Sequence, residues 1–284
     1  MCLAKIAFST GGIFAMHGPG SFRKTILFYS IALLISWSIW APLVAFRLGY
    51  GPEVASELHL IGSLGPAIAG LILLVFQGGM TRADWVRFIW SPASLPWLIL
   101  AILLPVAIGA AGLLGQTLMT GTTPDLGRFL TSKEFPTYSA VALIAVELVF
   151  YGFGEEIGWR GFLLPLLLRR FTPLSASLVI TLPWAIWHLP LILSNETYQS
   201  LGVAGLFGWL ISLLTGSLLL TWFYLKSGRA VLVVAVFHAA IDVVMVNPVV
   251  DTLGINIMGA LVTIAGFAAG ISLYRLGKRK QSAA

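Results

Sequence analysis

Between Phe153 and Phe171 the chain reads FGEEIGWRGFLLPLLLRRF. Two adjacent carboxylates, Glu155 and Glu156, and a guanidinium, Arg160, sit in a run that otherwise has the composition of a membrane helix. Ionisable groups at that depth are expensive unless they are paired or face a wet cavity, so by default they mark function. Three charges in an apolar run need partners, and the flanking sequence supplies them.

The 284 residues are 58% hydrophobic and 10% charged, with a mean hydropathy of +0.94. A soluble domain carries roughly 25% charged residues. The expected fold class is therefore an all-α, polytopic membrane protein, with no length left over for a sizeable soluble domain. The net charge of +6 comes from Lys and Arg lying between apolar runs, which reads as topology rather than as a nucleic-acid surface. Cys2 is the single cysteine, so an intramolecular disulfide and a cysteine zinc site are excluded. Residues 1–20 make a poor signal peptide, because Gly, Ser and His interrupt a short apolar core; Met16 is a second candidate start.

Eight apolar segments have the ~20 residues that a bilayer core demands. They are Ile26–Phe46, Leu58–Phe76, Trp97–Leu118, Tyr138–Leu168, Leu174–Leu193, Val203–Leu225, Ala230–Val246 and Ile255–Leu273. About eight transmembrane helices are thus expected to enclose an intramembrane polar cavity. Fourteen of the 17 Lys and Arg fall on one side of this arrangement, leaving Arg47, Arg128 and Lys133 opposite. The positive-inside rule then puts both termini in the cytoplasm of a multi-pass cell-membrane protein. The division is an N-terminal cytoplasmic segment (1–22), a transmembrane domain (23–275) with its core at about 138–248, and a basic cytoplasmic tail (276–284). The fourth segment, roughly 46 Å long as a continuous helix, must tilt, bend or project.

Further intramembrane polar residues are His188 in WAIWHLP and His238 and Asp242 in FHAAID. Spacings of four place Glu156 with Arg160, Trp184 with His188, and His238 with Asp242 on shared helix faces. Measured along helices from their cytoplasmic anchors, Glu155 and His188 both lie roughly 21 Å deep and His238 roughly 14 Å, so different tilts bring them to one pocket. A carboxylate beside an imidazole can hold a water and take its proton. A second histidine with a short polar neighbour can serve a developing oxyanion. Glu155 is then the base, His188 its water-holding partner, His238 with Asp242 the oxyanion site, and Glu156–Arg160 the support. The reaction is peptide-bond hydrolysis in or at the edge of the bilayer. No cofactor is required, but a divalent metal such as zinc held by Glu155, His188 and His238 is an open alternative, without an HExxH spacing to favour it. Glu147, near the same face as Glu155, reads equally as cavity lining or structural pairing. His17 and His59, near segment ends, and Asn195, Glu196 and Asp251, in loops, read as solvated.

Together Glu155-Glu156-x-x-x-Arg160, Trp184-x-x-x-His188 and His238-x-x-x-Asp242 resemble the three motifs of the CPBP family (CAAX protease and bacteriocin-processing, also Abi). That family includes the type II CAAX prenyl endopeptidases. The resemblance covers about 90 residues, and the wording EEIGWRGFLLP is close to that of bacterial members. It implies an intramembrane endopeptidase whose first-motif glutamate (Glu155) and second-motif histidine (His188) activate water, with the third motif serving the oxyanion. The implied partners are the bilayer and a membrane-bound or lipidated protein or peptide substrate, with no nucleic acid. Two departures stand out. Trp184 replaces a usual Phe, a change expected to alter only pocket packing, and Asp242 replaces the Asn of eukaryotic prenyl endopeptidases. The competing functions are a non-proteolytic scaffold or bacteriocin-immunity protein on the same fold, and a proton-coupled carrier, against which no internal repeat is found.

Overall fold

The computed structural model describes residues 21–132 and 134–281. Lys5, His17 and Lys133 lie outside the described residues, as do Cys2, Met16 and most of the 1–22 segment. Among the described residues there is helix and no strand, as expected where no water is present to satisfy backbone N–H and C=O groups. This is an all-α, multi-pass membrane protein.

The first half contains α1 (Ser21–Arg47), α2 (Glu57–Ser63), α3 (Gly65–Gln77), α4 (Arg82–Ile89) and α5 (Leu95–Thr120). The apolar run Leu58–Phe76 is divided at Leu64, just ahead of Pro66, whose missing N–H is tolerated in the first turn of α3. A capping box between Thr81 and Asp84 starts α4. Next comes α6 (140–167), then α7 (Pro173–Trp187), α8 (Leu189–Ser194), α9 (Glu196–Ser200), α10 (Gly202–Lys226), α11 (Val231–Met245) and α12 (Thr252–Gln281). The basic tail expected from 276 onwards continues α12 as helix to Gln281.

Among the described residues, six helical stretches are long and apolar enough to cross a membrane. Two of the eight expected segments are not among them, for different reasons. At 15 residues α11 extends only ~22 Å. It is instead wrapped by protein, with Val231, Val233, Val234, Ala235 and Phe237 all buried. The α6 segment is long enough but not uniform, since π-helical stretches at Glu147–Phe153 and Ile157–Leu163 alternate with α-helical ones.

These two elements form the centre of the bundle. Gly152 of α6 lies against the backbone of Ala235 in α11, and Gly158 lies against Pro66 of α3 so closely that a Cβ would overlap it. Small residues at such crossings let helix backbones approach where lipid provides no hydrophobic drive. The largest buried cluster includes Trp159, Trp184, Trp187, Phe162 and Phe237, and the polar residues of α6, α7 and α11 are embedded in it.

Candidate active site

Glu155 and Glu156 occupy the short α-helical stretch Gly154–Glu156 between the two π-helical ones. Single π turns inside α-helices recur at functional sites because they re-aim side chains. Being adjacent, the two carboxylates diverge. Glu155 Oε2 accepts a hydrogen bond from Trp184 Nε1 at 2.7 Å. Glu156 Oε1 accepts from Arg160 Nη1 at 2.8 Å and lies 2.8 Å from His238 Nδ1.

His188 sits at the junction of α7 and α8, where Pro190 restarts the helix. Its Nδ1 is 2.8 Å from the carbonyl of Trp184. A carbonyl only accepts, so Nδ1 carries the proton and, in the neutral ring, Nε2 is an acceptor. The ring is held edge-on by Trp187 at 4.8 Å and Trp209 at 5.3 Å between centroids. His238 is bracketed by acids, with Glu156 at Nδ1 and Asp242 Oδ2 3.3 Å from Nε2.

Trp184 ties these groups together. Its N–H holds Glu155 and its carbonyl holds His188. Its ring packs 5.9 Å from that of His238 and lies 4.5 Å from Arg160 Cζ, within cation–π range. The expectation that an indole here alters only packing is corrected by this geometry, because a Phe would leave Glu155 without the Trp184 donor. Glu155 and His188 are linked through Trp184, with no direct hydrogen bond between them among the described residues.

Exposure separates these side chains into two sets. Glu156 and Arg160 are sealed at 0%, whereas Glu155 keeps 3%, and His188 and His238 keep 7% each. Asp242, with a third of its side chain exposed, is the most open. A charge pair sealed on all sides can support neighbours but cannot meet a solute; Asp242 can, while Glu155, His188 and His238 are nearly closed. Burial also corrects the orientation count, since Arg160 is an internal counter-ion rather than a surface charge. As for a metal, the described residues hold no group of three or more His, Cys, Asp or Glu side chains placed to bind one. Both ring nitrogens of His238 already face carboxylates, so Glu155, His188 and His238 do not present a ready three-ligand set.

A second polar cluster lies one turn before the carboxylates. His59 Nδ1 is 2.8 Å from Glu134 Oε1 and 3.3 Å from the Tyr151 hydroxyl. Asn195 Nδ2 donates to Glu134 Oε2 at 3.3 Å. His59 and Asn195 are thus partnered and not simply solvated. The reason is tertiary: the 121–139 connection folds back over α2 and brings Glu134 to them. Glu196 stays largely exposed beside Arg47, and Asp251 accepts from Gly254 N to cap α12. Glu147 Oε2 is buried without a hydrogen-bond partner among the described residues.

Residues 137–244, which carry Glu155, Glu156, Arg160, Trp184, His188, His238 and Asp242, match the family model described as "Rce1-like: Type II CAAX prenyl endopeptidase Rce1-like". Through this segment the chain is similar to the CPBP (CAAX protease) family. Among curated proteins it is similar to "CAAX prenyl protease 2" of Methanococcus maripaludis, 28% identical over 161 residues, or 55% of this chain and 53% of that one. It is also similar to "Lysostaphin resistance protein A" of Staphylococcus epidermidis, 25% identical over 189 residues, covering 66% of this chain and 46% of the relative. The matches span about half the length of these relatives. The three motif segments are joined here by contacts that their spacing did not reveal, namely the Trp184 N–H to Glu155 and the Glu156 bridge to His238. Hydroxyls that no motif includes, Ser177, Ser217 and Thr221, are fully buried beside them.

Proposed function

We propose that this chain is an intramembrane endopeptidase that hydrolyses a peptide bond of a membrane-bound or lipidated protein or peptide. The observation that carries the reading is the meeting at Trp184 of a buried carboxylate, Glu155, and a histidine, His188, whose Nδ1 is occupied and whose Nε2 is left as the acceptor. In this reading a water lies between Glu155 and His188 Nε2, and Glu155 takes its proton as the oxygen attacks the scissile carbonyl. Glu156 keeps His238 Nδ1, and the Nε2–H, only 3.3 Å from the partly exposed Asp242, exchanges that contact for the developing oxyanion. The proton held by Glu155 then passes to the leaving nitrogen. Glu156 and Arg160 hold His238 in place. Water activation needs only these side chains, and no cofactor is invoked. Both termini are assigned to the cytoplasm on the Lys and Arg distribution, with 1–22 and the basic tail flanking the membrane domain.

The test is purified protein in proteoliposomes with a farnesylated Cys-aliphatic-aliphatic-X peptide. Release of the terminal tripeptide by the wild type but not by Glu155→Gln supports the reading. Equal release by both removes Glu155 from the chemistry. A non-proteolytic scaffold or immunity role predicts no release by either protein and an unchanged cellular phenotype in Glu155→Gln.

A further inference from the structure

Arg160 is the most demanding group in the bundle, a permanent charge with five N–H donors and no exposure. Its Nη1 is used by Glu156 and its face by the Trp184 ring. Its Nη2 donates to Ser217 Oγ at 3.2 Å. Ser217 comes from α10, an element that carries none of the three motifs.

Hydroxyls in membrane helices commonly bond back to a carbonyl one turn earlier on their own helix, as Thr215 does to Ile211. Ser217 instead reaches outward. Its Oγ donates to the carbonyl of Ser177 in α7 at 3.2 Å and lies 3.2 Å from Ser177 Oγ. Thr221 Oγ1, one turn along α10, donates to Ser177 Oγ at 3.1 Å. One set of proton positions satisfies every contact. Thr221 donates to Ser177 Oγ, Ser177 to Ser217 Oγ, and Ser217 to the Ser177 carbonyl, which leaves a lone pair of Ser217 for Arg160. All three hydroxyl residues are fully buried.

We infer that Ser217 is a positioning residue of the hydrolytic site: it fixes Arg160, which fixes Glu156, which fixes the ring of His238. The ladder thereby couples α10 and α7 to α6 and α11. Its catalytic consequence rests on the endopeptidase reading; the geometric coupling to His238 does not. Ser217→Ala removes the Nη2 acceptor, letting Arg160, Glu156 and His238 drift together. Misplacement of about 1 Å can lower turnover about 100-fold. Ser217→Ala is therefore expected to lower kcat for the farnesylated peptide at least about tenfold while KM stays within about twofold.

The second readout is independent of activity. With nitrogen-15-labelled histidine, the ring resonances of His238 should move in Ser217→Ala while those of His59 remain in place. Ser217→Thr, which keeps the hydroxyl, should restore the His238 signal. Thr221→Val, two hydroxyls farther from Arg160 along the ladder, should move it in the same direction by less. Unchanged His238 resonances and unchanged kcat in folded Ser217→Ala would overturn the inference, as would resonance shifts spread equally over all observed histidines. If the wild type releases no tripeptide, the endopeptidase reading fails, and the His238 resonances still decide whether Ser217 positions that ring.

Discussion

The pair Glu156–Arg160 should behave as a single buried unit in unfolding experiments. Its atoms are 2.8 Å apart and both side chains are sealed. Removing one partner of such a pair strands a charge and destabilises by about 3–5 kcal/mol, whereas replacing both by neutral groups of similar shape is often close to neutral. Here Arg160→Met leaves Glu156 with only His238 as a donor, and Glu156→Gln leaves Arg160 with Ser217 and the Trp184 ring. Those residual partners place each single variant near the lower end, a loss of about 3 kcal/mol. In the double variant the Gln carbonyl still accepts from His238 and no charge is stranded, so the combined loss should be under about 2 kcal/mol. The coupling energy in the cycle is then about 4 kcal/mol or more, well above the ~0.5 kcal/mol within which independent sites add. The assay is reversible unfolding in mixed micelles with increasing SDS, followed by tryptophan fluorescence for all four proteins. Losses that simply add in the double variant would refute the reasoning, since they would mean that the two groups are not each other's counter-charge.

Four further outcomes follow from particular contacts. Trp184→Phe keeps the ring over Arg160 but removes the N–H to Glu155; a hydrogen bond to a charged group contributes about 1.5–3 kcal/mol, so kcat/KM for the farnesylated peptide should fall about tenfold or more. Asp242→Asn, which still reaches His238, should retain turnover where Asp242→Ala loses it, measured in the same proteoliposomes. Gly158→Ala places a methyl into Pro66 and should destabilise the α3–α6 crossing by about 1–3 kcal/mol in the SDS assay. Activity should survive dialysis against a metal chelator, because water activation is assigned to Glu155 and His188; loss that zinc restores would reverse that assignment.

Much of the site was legible because polarity is rare in an apolar chain. Glu155, Glu156, Arg160, His188, His238 and Asp242 each interrupt a run with few other ionisable groups, and the i,i+4 spacings paired them on single helices. What spacing cannot show is contact between elements. That Glu156 joins His238 across 82 residues, or that Trp184 donates to Glu155, depends on how α6, α7 and α11 cross. Ser217 was invisible for a different reason: serines and threonines are ordinary in membrane helices, and only their partners distinguish a bonding ladder from local back-bonding. His59 read as solvated because its partner Glu134 lies 75 residues away in a connection. The alternation of α and π turns in α6 was likewise hidden, since the apolar run that carries it has one uniform composition. Length also does not show that α11, ~22 Å of helix, is surrounded by protein.

The most direct test of the central claim is a comparison of membrane peptidomes from cells expressing wild type or Glu155→Gln at matched levels, grown in water enriched in oxygen-18. Hydrolysis by Glu155-activated water should yield specific peptides, present only with the wild type, whose new carboxyl termini carry the heavy oxygen, together with accumulation of their parent proteins in the variant. Identical peptidomes, alongside a phenotype that disappears only when the whole protein is deleted, would contradict it.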